Sequence, residues 1–149
     1  MIMRSYFVLM VIAAVMLASP AFAQEWAGTV KAVAGTVTAE REGKVIPLSL
    51  GDKVFSGDKL VSGKDSRIAV TLRDDTLVSM DANTQLSINE FAFSASTHEG
   101  NLLVSISRGV VAMVSGLVAK ANPHAMRVTT PGATLGIRGT EFIVEVGSE

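Results

Sequence analysis

The stretch Thr129–Val146, "TTPGATLGIRGTEFIVEV", holds three glycines, a Pro-Gly pair and one arginine, and then alternates to its end. It reads as a phosphate-cradling loop, a catalytic turn or the closing strand of a sheet. Gly132, Gly136 and Gly139 follow G-x-x-x-G-x-x-G, not G-x-G-x-x-G, and no G-K-[ST] follows. A nucleotide loop opens a helix whose N-terminus meets the phosphate, whereas the chain after Gly139 has a period of two. The phosphate reading therefore fails on spacing and on context. As a closing strand from Thr140, the segment puts Phe142, Val144 and Val146 on one face and Glu141, Ile143 and Glu145 on the other. Pro131-Gly132 fits the centre of a type II turn, with Gly132 at positive φ. Gly136 and Gly139 fit bulges or close backbone approach. Arg138 has two readings: a fork for a partner's carboxylate, or a clamp that pairs with a local acidic group or caps carbonyls. The second is preferred, because the arginine sits between two glycines in a segment that must be shaped before the final strand.

The same rhythm extends upstream. "GTVKAVAGTVTAER" contains two strands around Gly35; Glu42-Gly43 turns and "KVIPL" returns. "SRIAVTL" puts Ile68, Val70 and Leu72 on one face, "RDDT" turns, and "LVSM" resumes. "TQLSINEFAF" points Leu86, Ile88 and one of Phe91 or Phe93 inward. "NLLVSISRGVVAMVSGLV" is expected to be interrupted at Arg108-Gly109 and Gly116. Turn signals every 8 to 12 residues or so and abundant Val, Ile and Thr are the all-β pattern. "GDKVFSGDKLVS" repeats at a period of six, and two copies are too few for a solenoid. They read as successive Gly-Asp turns with Val54-Phe55 and Leu60-Val61 tucked under the sheet. The expected fold is a single all-β domain of short antiparallel strands, a sandwich or a β-roll.

The beginning of the chain reads differently. Arg4 precedes the apolar run Tyr6–Leu17, and "ASPAFA" places Ala21 and Ala23 at a small-x-small cleavage site. Residues 1–23 are read as a signal peptide, since the apolar run falls short of the roughly 20 residues that span a bilayer. Residues 24–149 are the domain, and no stable membrane span is expected after cleavage. Losing Arg4 takes the 13 basic residues to 12 against 14 acidic, formally −2. That balance gives no case for nucleic acid. A chain of 149 residues with no cysteine, exported, relies on burial alone and suits a bacterial periplasm.

Catalysis finds little support. There is no cysteine and no G-x-S-x-G elbow. His98 and His124 lie in polar loops and are too few for a histidine-rich metal site. Asp52, Asp58, Asp65, Asp74, Asp75 and Asp81 lack the EF-hand spacing and are read as turn residues. No catalytic residue, cofactor or metal is assigned.

"GDKVFSGDKLVSGKDSRIAVTLRDDTLVSMDANTQLSI", "SRGVVAMV" and "MRVTTPGATLGIRGTEFIVEV" together resemble the FecR-domain family, over about Gly35 to Val146. The resemblance implies a β-rich extracytoplasmic domain without known catalysis. In the founding group that domain takes a signal from an outer-membrane transporter towards a sigma factor. The cleavable leader points instead to a free periplasmic module. The structural signature is expected at Pro131, Gly132, Gly136, Arg138, Gly139, Thr140 and Phe142. The expected function is a non-enzymatic periplasmic interaction or sensory module whose partner is another envelope protein. The alternatives are a secreted carbohydrate- or envelope-binding structural protein and, from another class, a hydrolase using the aspartates.

Overall fold

The computed structural model describes residues 25–147. The leader, its cleavage site at Ala21 and Ala23, and Gln24 lie outside the described residues. Twelve strands follow in chain order: β1 (Trp26–Ala34), β2 (Val37–Arg41), β3 (Lys44–Pro47), β4 (Lys53–Phe55), β5 (Lys59–Ser62), β6 (Arg67–Leu72), β7 (Leu77–Met80), β8 (Gln85–Phe93), β9 (Gly100–Val114), β10 (Met126–Thr130), β11 (Ala133–Gly136) and β12 (Glu141–Val146). A short helix α1 (Leu117–Ala121) and a 3-10 turn (Pro123–Ala125) stand between β9 and β10.

The strands form one sheet folded over on itself. One wing runs β3-β2-β5-β8-β9-β10-β11 and the other β4-β1-β6-β7-β9-β12, so β9 belongs to both. The alternation expected of the strands is present. Ile68, Val70 and Leu72 are buried on β6, and Leu86, Ile88 and Phe91 on β8. A register slip between Ile88 and Glu90 moves the inward parity of β8 from even to odd, which turns Phe91 into the core and leaves Phe93, of the same parity, partly buried against it near the strand end. The buried side chains of both wings make one core.

Arg108-Gly109 does not interrupt the chain as expected; it bends it. β9 runs through Gly109 as a strand of 15 residues. Leu102, Val104 and Ile106 point inward before the bend, and Val111 and Met113 after it, so the parity flips. Gly109 has φ +92, and a Cβ there would stand 2.2 Å from Thr84 Oγ1 and 2.5 Å from Thr84 Cα. No other residue fits, because both the backbone and the space exclude a side chain. The Val110 N–H donates to Thr84 Oγ1 at 3.1 Å, fixing the far side of the bend. The consequence is closure: Ser115, just past one end of β9, reaches Met126 Sδ at 3.9 Å, and Met126 pairs opposite Leu102 near the other end.

One pairing departs from the antiparallel expectation. β10 lies parallel to β9, and parallel neighbours need a crossover rather than a tight turn. α1 and the 3-10 turn supply it. Gly116 gives α1 no side-chain cap, so the "RDDT" turn between β6 and β7 takes that role. The Val118 N–H donates to the fully buried Asp74 carboxylate at 3.3 Å, and the Leu117 N–H donates to the Asp74 carbonyl at 2.6 Å.

The six-residue repeat builds the same turn twice. The Asp52 N–H donates to the Ser49 carbonyl and the Asp58 N–H to the Phe55 carbonyl, each at 3.1 Å. Each aspartate carboxylate also accepts from the N–H three residues earlier, at 2.8 and 2.9 Å. The copies diverge in surroundings: Asp58 is fully buried and accepts two bonds at 2.7 Å from Arg41, whereas Asp52 is half-buried. Those hydrogen bonds hold the Arg41 guanidinium above its ordinary pKa.

Candidate functional site

Residues 126–146 fold as a hairpin, a short connection and a strand. Met126 and Val128 of β10 are buried, which turns Arg127 outward. Thr130 stands opposite Ala133, so Pro131-Gly132 is a two-residue turn. It is not the expected type II turn, since Gly132 does not take positive φ; Thr130 Oγ1 closes it by donating to the Ala133 carbonyl at 3.3 Å. Gly136 is not a bulge either. It sits in regular register opposite Arg127, at the end of β11, a strand hidden from the sequence by its glycine and its four-residue length.

Gly139 does take positive φ, +132, while a Cβ there would meet nothing, so its role is conformational and not one of close approach. Ser115 anchors the connection. Its N–H donates to the Thr140 carbonyl at 2.7 Å and its Oγ to the Gly139 carbonyl at 3.1 Å. Ser115 was missed in the sequence; the serine ending the apolar run before Gly116 was the available sign. β12 then pairs antiparallel with β9, with Val144 buried, Phe142 and Val146 half-buried against the core, and Glu141, Ile143 and Glu145 exposed. Both faces are as expected.

Arg138 corrects the preferred reading. It is exposed and has no hydrogen bond or ion pair among the described residues. The task given to it, fixing the turn, falls to Ser115. The fork therefore stays free, which is the other reading of this arginine. Arg127 is exposed and unpaired in the same way. A cleft of about 390 Å³ is lined by Pro123, His124, Gly136, Ile137 and Arg138. A second of about 270 Å³, which includes Arg127 and Glu90, shares His124 with it. Among the described residues β11 pairs with β10 alone and β12 with β9 alone, so both strands leave an edge of unpaired backbone groups. Ile143, 69% exposed, stands on β12 between two glutamates.

Most of the aspartates singled out in the sequence serve turns. Asp52, Asp58 and Asp74 bind turn backbone, and Asp65 and Asp75 sit at φ +53 and +67. His98 stacks on Phe93, with 6.3 Å between ring centroids. Among the described residues no three His, Asp or Glu side chains gather as a metal would need.

The family model described as FecR protein matches residues 58–149, more than half of the chain. The chain belongs to the FecR protein family. The matched part of this FecR protein starts at the second Gly-Asp turn and includes β9, the bend at Gly109 and the whole terminal segment. No curated protein matches the chain. A solved structure described as "Cell surface anchoring domain" is similar at 24% identity and a TM-score of 0.40, over 41% of this chain and 82% of its own. No helix among the described residues is long and apolar enough to cross a membrane.

Proposed function

We propose that this FecR protein is a non-enzymatic interaction module of the bacterial cell envelope, released to the periplasm by cleavage after Ala23, that docks another envelope protein along the edges of β11 and β12. One observation supports this most: among the described residues the terminal segment leaves two strand edges unpaired and sets Arg138, without a hydrogen bond or ion pair, beside the first of them. Edge strands are the surfaces that proteins normally blunt with charge or short length. A four-residue β11 and the glutamates of β12 do both, so only a strand with matching charge gains from pairing. In this reading Pro131, Gly132, Gly136, Gly139, Thr140 and Phe142 shape and hold the docking edge, and Arg138 faces the partner. Recognition of the partner is the sensory event, which fits a role in envelope signalling.

The test is capture from an envelope extract on the immobilised mature chain, comparing wild type with Ile143→Lys and Arg138→Glu. Capture of a defined protein that falls in these variants, with melting unchanged, supports the proposal. Retention of glycan, or capture indifferent to both variants, contradicts it.

A further inference from the structure

Resting on the edge-docking reading above, we infer that the β11 edge selects an extended acidic segment with carboxylates at alternate positions, read by Arg127, Gly136 and Arg138. Register sets the geometry. Glu90 of β8, Leu103 of β9, Arg127 of β10 and Gly136 of β11 stand side by side in one row across the outer face. The next position in that row, about 4.8 Å beyond Gly136, belongs to whatever strand pairs with the edge. Arg127 has no hydrogen bond or ion pair among the described residues. Glu90, which lines the same cleft, stands two strands away beyond Leu103 and accepts a hydrogen bond from Asn101.

Gly136 is the informative residue. Its φ is not positive, and a Cβ built there would meet nothing within 4 Å. Neither backbone nor packing needs a glycine. What its missing side chain does is leave the Arg127 fork uncovered toward the free edge. Arg138 follows two residues later, just past the end of β11, and Leu135 and Ile137 pack against the core, which leaves Gly136 and Arg138 on the outer side; two extended residues span about 6.6 Å. Positions i and i+2 of an added strand have the same spacing and share a face. Two forks side by side therefore match two carboxylates, each suited to a bidentate pair. They do not converge on one point, as a single phosphate would require. His124 lines the clefts of both arginines and joins them into one patch. The other charged group that lines these clefts is Glu90.

The test uses the mature chain and capped synthetic hexapeptides, Thr-Glu-Val-Glu-Val-Thr and its Gln and Lys counterparts, followed by anisotropy and hydrogen exchange. The Glu peptide is expected to bind about tenfold tighter than the Gln peptide and to protect residues 133–136. Arg127→Gln and Arg138→Gln should each weaken it several-fold, and Arg127→Glu with Arg138→Glu should prefer the Lys peptide. Gly136→Val should melt like wild type and lose the Glu peptide. Glu and Gln peptides that bind alike and protect 133–136 would overturn the acidic selection and leave edge docking standing. No protection of 133–136 by any peptide would overturn the inference, and edge docking would fall with it only if the captured envelope protein protects neither 133–136 nor 141–146. Arginine-dependent binding to phosphatidylglycerol vesicles without peptide binding would overturn the inference in favour of a lipid surface.

Discussion

Replacing Gly109 by alanine tests the bend that makes two wings from one sheet. The alanine would occupy φ +92, a backbone conformation costing a side-chain-bearing residue about 1–3 kcal/mol. Its Cβ would also overlap Thr84, at 2.2 Å from Oγ1 and 2.5 Å from Cα. The Cα belongs to backbone and cannot swing away, so overpacking adds about 1–3 kcal/mol. Any shift of Thr84 also strains the bond that its Oγ1 accepts from the Val110 N–H. The expected loss is about 4 kcal/mol, near the middle of the sum. For a domain of this size that lowers the melting midpoint by roughly 10–20 °C. Urea melts of the mature chain give the free energy directly. Gly136→Ala is the internal control, expected within about 0.5 kcal/mol of wild type, since its Cβ meets nothing and its φ is not positive. A Gly109→Ala protein that loses under about 1 kcal/mol would refute the reasoning.

The duplicated turns should answer differently to the same change. Asp58→Ala strips two bonds from Arg41 and one from the Phe55 N–H at a fully buried site, and should cost about 3 kcal/mol, while Asp52→Ala should cost about 1 kcal/mol in parallel melts. Asp74→Ala orphans the Val118 N–H and both Thr76 donors, and should lower stability by about 3 kcal/mol with loss of the small helical signal in circular dichroism. Phe142→Ala should cost about 1–3 kcal/mol, less than a fully buried ring, because Phe142 is only half-buried. Arg138→Ala should melt within about 0.5 kcal/mol of wild type, and a clear loss would restore the clamp reading. Intact-mass analysis of periplasmic material should show a chain beginning at Gln24.

Local alternation made the strands legible. "SRIAVTL" and "TEFIVEV" each bury one face of a sheet, and a period of two is visible without any partner. The Gly-Asp turns were equally legible, because their hydrogen bonds close within four residues. What stayed hidden depends on distant contacts. Gly109 was visible as a break in an apolar run, but its role as a bend inside one strand rests on Thr84, 25 positions earlier. The parallel pairing of β10 with β9 has no local sign, because it follows from closure through Ser115 and Met126. The terminal signature was found by its residues, yet its internal division was misjudged: Gly132 looked conformational and is not, and Arg138 looked clamped and is free. Arg127 was overlooked, although a lone arginine alternating with Met126 and Val128 marks an outward position that the core does not explain.

Hydrogen exchange of the mature chain, alone and with its captured envelope protein, tests the docking edge most directly. The account predicts new protection at residues 133–136 or 141–146, with the β1, β6 and β8 amides, already paired on both sides, unchanged. Protection confined to the β3 or β4 edge, with 133–136 and 141–146 exchanging as in the free chain, would contradict it.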